Sequence, residues 1–245
     1  MKALAFFDFD DTLATTDSLI GVECKEEIDF AEKLRAEGIC VKHTAGGFKW
    51  IDSKDYGKLE LSGLCDRYTL IYDYNQTMSI NIANTKPIGS ILGKMSEAIE
   101  DPDTLVLVLT ARAGYSTVWS PFLKRDITAS NRRQIREFLS LHGIEIEERF
   151  LHTVGDIGDH GGDTSLAKAE VLKGYCLQYP GASIDFYDDS EKNLRAVLDI
   201  CKCGLYGNRI AVHRVESGQV TDTRTCCCKR GIKERVSSIF KCMLE

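Results

Sequence analysis

The hexapeptide Asp8-Phe9-Asp10-Asp11-Thr12-Leu13 places three carboxylates within four residues. Carboxylates this close repel one another unless a cation sits among them, and oxygen donors select a hard divalent ion, with magnesium the best match. The same spacing sets a nucleophile beside a proton donor. Asp8 and Asp10 stand two apart, and a slight unwinding of the chain after a strand would turn both toward one point. A carboxylate that attacks phosphorus forms an aspartyl-phosphate and divides hydrolysis into two easier steps. For the hexapeptide alone, the plain alternative is an acidic loop or helix cap.

The hydrophobic pattern supplies elements to hold such a group. The apolar run Ala3–Phe7 ends in acids and reads as a buried parallel strand emptying into a loop. A second run, 105–109, lies between Asp101-Pro102-Asp103 and Thr110-Ala111-Arg112-Ala113-Gly114. Residues 150–154, 183–187 and 209–212 complete five core strands. Helical spacing predicts helices over 87–99, 128–141, 164–179 and 191–201. This alternation predicts an α/β fold built on a doubly wound parallel sheet, whose functional residues sit on loops at the carboxyl ends of the strands.

Residues 14–86 break the pattern. They offer one helix, 25–37, then Gly-rich and aromatic sequence that suggests strands or a flap. An insertion directly after strand one reads as a cap that closes the site and selects substrate. Its rings, Trp50, Tyr56, Tyr68, Tyr72 and Tyr74, either hold an apolar leaving group or form the cap's own small core. The expected division is therefore 1–13 with 87–215 as the core, 14–86 as the cap, and 216–245 as a basic, Cys-rich C-terminal segment.

Composition sets outer limits. The chain has 245 residues, 43% hydrophobic and 28% charged, which excludes disordered, collagenous and fibrous classes. Its 31 Lys and Arg against 37 Asp and Glu argue against a nucleic-acid binder held mainly by a basic surface. The longest apolar runs fall far short of the roughly 20 residues of a membrane-spanning helix. The N-terminus lacks the order of a secretory signal, so the expected location is cytoplasmic. In a reducing compartment the ten cysteines are thiols, and the paired two-Cys hooks of a structural zinc site are missing.

In four places the chain resembles the haloacid dehalogenase-like superfamily. Strand one followed by Asp8, Asp10, Thr12 and Leu13 is similar to that family's first motif, and the run ending in Thr110 to its second. Lys168, on a helix upstream of the fourth strand, stands where the third motif places a Lys. Ile184-Asp185-Phe186-Tyr187-Asp188-Asp189 resembles the fourth, an apolar strand ending in paired acids. The four occur in order, and they leave the cap and the tail outside the resemblance. It implies a core with a cap insertion, Asp8 as nucleophile and Asp10 as acid and base. It further implies that Thr110 hydrogen-bonds a phosphoryl oxygen and that Lys168 neutralises charge while restraining Asp8. Magnesium would be held by Asp8, Asp10, Asp188 and Asp189, with the choice of inner ligand between the last two open. Asp10 favours phosphomonoester hydrolysis over carbon–halogen or phosphonate cleavage, although a phosphomutase would keep it too.

Arg112 either forks onto a phosphate or substrate carboxylate or pairs with a surface acid. The Gly-rich loop 155–163 carries too many acids for a phosphate cradle, and its His160 reads as an exposed loop residue. The expected function is a magnesium-dependent phosphatase acting on a phosphorylated small molecule, a nucleotide or a nucleic-acid end. The stretches Thr110-Ala111-Arg112 and Tyr187-Asp188-Asp189 are similar to nucleic-acid end-repair and phage-type members, which makes a polynucleotide 3'-phosphate one candidate. A reading from another class is a membrane-surface or partner-binding protein that keeps the fold with little catalysis. Residues 201–245 hold nine Lys or Arg against four Asp or Glu, and Cys226 to Cys228 precede Lys229, Arg230, Lys233 and Arg235. That run resembles an acylation site with a polybasic helper and would give peripheral membrane contact; the intact acidic set argues against an inactive enzyme.

Overall fold

The computed structural model describes residues 1–26, 29–156, 163–200 and 207–227. Its strands begin with β1 (Ala3–Phe7), β2 (Ala14–Thr15), β3 (Ile20–Cys24), β4 (His43–Ala45), β5 (Phe48–Ile51), β6 (Leu70–Asp73) and β7 (Lys86–Pro87). They continue with β8 (Thr104–Thr110), β9 (Thr117–Ser120), β10 (Arg125–Thr128), β11 (Leu151–Thr153), β12 (Ser183–Asp188), β13 (Arg209–Glu216) and β14 (Gln219–Cys227). Seven α-helices accompany them among the described residues: α1 (Phe30–Ala36), α2 (Ser53–Leu61), α3 (Leu64–Arg67), α4 (Gly89–Glu100), α5 (Asn131–Leu141), α6 (Thr164–Gln178) and α7 (Glu191–Ile200). The fold is mixed α/β with a mostly parallel main sheet.

The chain divides into two compact units. One comprises Met1–Leu13, Gly89–Leu109 and Asp159–Glu245, the other Ala14–Ile88 and Thr110–Gly158. The first carries five of the six strands of the main sheet in the order β8-β1-β12-β13-β14, while β11 is counted with the second. Ala3 lies in register with both Thr104 and Ser183, and β12 runs parallel to β13. With neighbours on both sides, β1 has Leu4, Phe6 and Phe7 fully buried, which is what its continuous apolar run encodes. A row of stacked rings crosses three strands: Phe7 to Tyr187 at 4.7 Å between centroids, and Tyr187 to His213 at 4.3 Å.

The expected polar segment beyond residue 215 opens as a strand. Ser217 (φ 50°) and Gly218 (φ 76°) form the turn, and β14 folds back antiparallel on β13. Positive φ at both central residues is the requirement of a two-residue hairpin whose twist matches its strands. Cys24, Cys40, Cys65 and Cys176 are free thiols. No helix among the described residues is long and apolar enough to cross a membrane. The tail from Cys228 onward lies outside the described residues.

The second unit contains an antiparallel sheet of order β4-β5-β3-β6 and the hairpin β9-β10. Ile20, Val22, Phe30, Leu34, Ile51 and Leu59 are in its core cluster, and Tyr56, Tyr68, Tyr72 and Tyr74 pack against that cluster. Trp50 is 1% exposed. These rings therefore build the insertion's own core. The expected helix 25–37 is shorter, Phe30–Ala36, and Gly38 at φ 71° follows its end. Residues 110–158, read from sequence as part of the core, count with 14–88 for a visible reason. The buried Asp73 carboxylate accepts from Ser120 Oγ at 2.6 Å and from the Phe122 N–H at 2.8 Å, and Gln134 Oε1 accepts from the Ile80 N–H at 2.8 Å.

Candidate active site

The site is built in the first unit at the carboxyl ends of β1 and β12. Past Phe7 the parallel pairing continues for one residue, since the Asp8 N–H donates to the Tyr187 carbonyl at 2.9 Å. The chain then turns sharply. The Leu13 N–H donates to the Phe9 carbonyl at 3.0 Å, and Asp11 takes the left-handed conformation at φ 54°, uncommon for a residue with a side chain. This turn leaves Asp8 at 5% exposure, Thr12 fully buried and Asp10 half-buried.

Lys168 arrives from α6. That helix starts at Asp163, whose carboxylate accepts the Ser165 and Leu166 N–H groups and satisfies donors that its first turn would otherwise leave unpaired. Lys168 is 0% exposed, with Nζ at 2.8 Å from Asp8 Oδ1 and at 2.8 Å from Asp188 Oδ2. A buried ammonium is tolerated only where charge and hydrogen bonds compensate it. Burial alone would drive its proton off, but Asp188 and Asp8 outweigh that and hold the ammonium above its ordinary pKa.

The two acids ending the fourth motif are differently employed. Asp188 is fully buried and saturated: Oδ1 accepts from the Ser190 N–H (2.8 Å) and Asn193 Nδ2 (3.0 Å), while Oδ2 accepts from Lys168 Nζ (2.8 Å) and Asn193 Nδ2 (3.0 Å). Asp189, half-buried, is pushed well above the usual carboxylate range by burial and then by the charges of Asp188, Asp8 and Asp11. Burial likewise pushes Asp8 up to about 7 against the pull of Lys168, with Asp188 and Asp10 adding to the rise.

One carboxylate oxygen from each of Asp8, Asp188 and Asp189 lies within 4.8 Å of the others. Thr12 Oγ1 is buried without a hydrogen-bond partner, while Asp8 Oδ1 faces the Lys168 ammonium at 2.8 Å. Three carboxylates gathered against one ammonium offer oxygen donors of the kind a hard divalent cation takes.

Of the residues expected from sequence, Asp8, Lys168, Asp188 and Asp189 are brought together, and the charge of Asp10 acts on Asp8. Thr110 and Arg112 belong to the second unit. Thr110 is fully buried, and its hydroxyl accepts the Arg112 N–H at 3.2 Å. The guanidinium of Arg112, 6% exposed, donates to the Thr77 carbonyl (3.1 Å), Asn131 Oδ1 (3.3 Å), Thr16 Oγ1 (3.0 Å) and Ser18 Oγ (3.0 Å). His160 and the rest of 157–162 lie outside the described residues. Sequence reasoning missed Asn193. Its signal is a polar amide in the first turn of α7, on the buried side beside Leu194 and Val197.

Comparison of the chain with protein-family models, with curated proteins and with solved structures finds no match.

Proposed function

We propose that the chain is a magnesium-dependent phosphomonoester hydrolase of the haloacid dehalogenase-like type, with its acidic cluster in the first unit. One observation carries this reading: a fully buried lysine joins Asp8 to Asp188, each contact at 2.8 Å, with Asp189 beside them. A structural ion pair would need one acid, whereas this site gathers three around one ammonium, the electrostatics of a place prepared for a cation and a phosphoryl group.

In this mechanism an Asp8 carboxylate oxygen forms a bond to phosphorus as the bond to the leaving alkoxide breaks. Asp10 gives that alkoxide its proton. Asp10, now a carboxylate, then takes a proton from water as the water oxygen attacks the aspartyl-phosphate, releasing inorganic phosphate and restoring Asp8. Lys168 holds Asp8 as the anion and offsets negative charge on the transferring group. Asp188, saturated by Ser190 and Asn193, fixes Lys168, and Asp189 joins Asp8 in holding the metal. Magnesium, when bound, would neutralise phosphoryl oxygens and let two anions approach.

The test is a panel of phosphomonoesters that includes sugar phosphates, nucleotides and 3'-phosphorylated oligonucleotides, run with magnesium and with chelator. Release of phosphate that stops in chelator and returns with magnesium is the expected result. Full activity in excess chelator, or no hydrolysis of any ester by folded protein with magnesium, would overturn it.

A further inference from the structure

The outer edge of β14 carries information that the phosphatase reading does not use. Among the described residues no strand pairs with it, since the sheet order ends there. The strand runs nine residues, with one irregularity at Thr221, which stands unpaired between Val220 opposite Val215 and Asp222 opposite Arg214, and 222–227 pair regularly. A regular edge is a template for another strand, and proteins that avoid such pairing blunt it with proline or a bulge. The stretch 222–227 has neither. Within it alternation puts Thr223 and Thr225, both exposed, on one face and Asp222 and Arg224 on the other.

We propose that this edge pairs antiparallel with the same edge of a second copy of the chain, about a twofold axis at Thr223. The register follows from charge. An axis at Thr223 sets Asp222 of each copy opposite Arg224 of the other and Thr223 opposite itself. An axis one residue earlier sets Asp222 against Asp222, and one residue later Arg224 against Arg224, both directly opposed like charges. The Thr223 register alone of these three joins opposite charges. Arg224 is already positioned for it. Its guanidinium is clamped by Glu191, with Nη1 at 2.9 Å from Oε1 and Nη2 at 2.7 Å from Oε2, while Nε lies 3.0 Å from Asp222 Oδ2. Acids on both sides of the arginine within one copy extend, in the pair, to an alternating row across the axis. The interface is isologous and closes on itself, which ends growth at two copies.

The experiment uses the full chain. Sedimentation equilibrium of the parent should show a monomer–dimer equilibrium. Thr223→Cys should cross-link to its own copy with a short bismaleimide. Asp222→Cys should cross-link only when mixed with Arg224→Cys, the natural cysteines being separated from these by mass mapping of the linked peptides. Asp222→Lys, with the melting curve checked, should weaken self-association about tenfold or more through the opposed Arg224. A parent that stays monomeric at its highest soluble concentration would overturn the proposal. So would a dimer that persists without the 223–223 and 222–224 links, or one that Asp222→Lys leaves unchanged. None of these outcomes touches phosphatase activity, so the two readings fail separately.

Discussion

Replacing Lys168 by Met keeps the length of the side chain and removes its charge from a pocket where the lysine is 0% exposed and its two carboxylate partners 7% and 0%. Removing one partner of a buried ion pair costs about 3–5 kcal/mol, because the remaining charge is left uncompensated. In a chain of this length each kcal/mol shifts the melting temperature by about 2–4 °C, so the metal-free variant should melt about 6–20 °C below the parent. The pH dependence has a definite sign. With the lysine present, burial already raises Asp8 to about 7, and without it Asp8 binds its proton more tightly still. A group whose folded pKa is raised costs stability as pH rises through that range, so the deficit should be large at about pH 8 and smaller at about pH 6. Magnesium should recover part of it by restoring positive charge. Thermal unfolding by circular dichroism, at both pH values and with chelator or magnesium, reads all of this. A variant that melts within about 2 °C of the parent at about pH 8 in chelator would refute the reasoning.

Asp8→Asn should abolish hydrolysis of an aryl phosphate in folded protein, since the amide keeps the shape and attacks phosphorus poorly; turnover at the parent rate would assign the nucleophile elsewhere. Asn193→Ala should cost about 10–100-fold in activity or magnesium affinity through loosened Asp188, read by titrating the rate with magnesium. Asp156 accepts the N–H groups of Gly114, Tyr115 (3.0 Å) and Ser116 (2.7 Å). Burial tends to raise its pKa, yet these bonds prevail and hold it below 3.8. Its contribution to stability is therefore present above the ordinary carboxylate pKa and lost as pH falls through the depressed one. Asp156→Asn should flatten the acid limb of melting temperature against pH, and an unchanged limb would count against that role.

β1 and β8 were legible because they are buried on both faces. β1 was placed residue for residue and β8 to within one residue at either end, since continuous apolar runs leave little choice, while β12 was placed as closely through its alternation of buried and half-buried positions. Lys168 was legible only through the order of motifs, as a lysine in a helix looks solvated until its helix is docked. β14 escaped because an edge strand of threonines and charges carries no apolar alternation. The tie between 110–158 and 14–88 escaped for a different reason. It runs through single buried polar groups such as Asp73 and Arg112, whose partners lie tens of residues away and leave no periodic trace.

The place of β1 in the sheet also sets a timetable. The strand that carries Asp8 is made well before either of its partners, 104–108 on one side and 183–187 on the other. Until the chain has grown past residue 188, Leu4, Phe6 and Phe7 lack the second of their two neighbours. Non-local pairing of this kind is slow, and an unsatisfied apolar strand on a growing chain is a ready site for aggregation or for a chaperone. Assembly of the acidic cluster is thereby tied to synthesis through Asp189: a chain released before Ser183 holds the first aspartate but neither the strand that steadies it nor the acids that complete its charge.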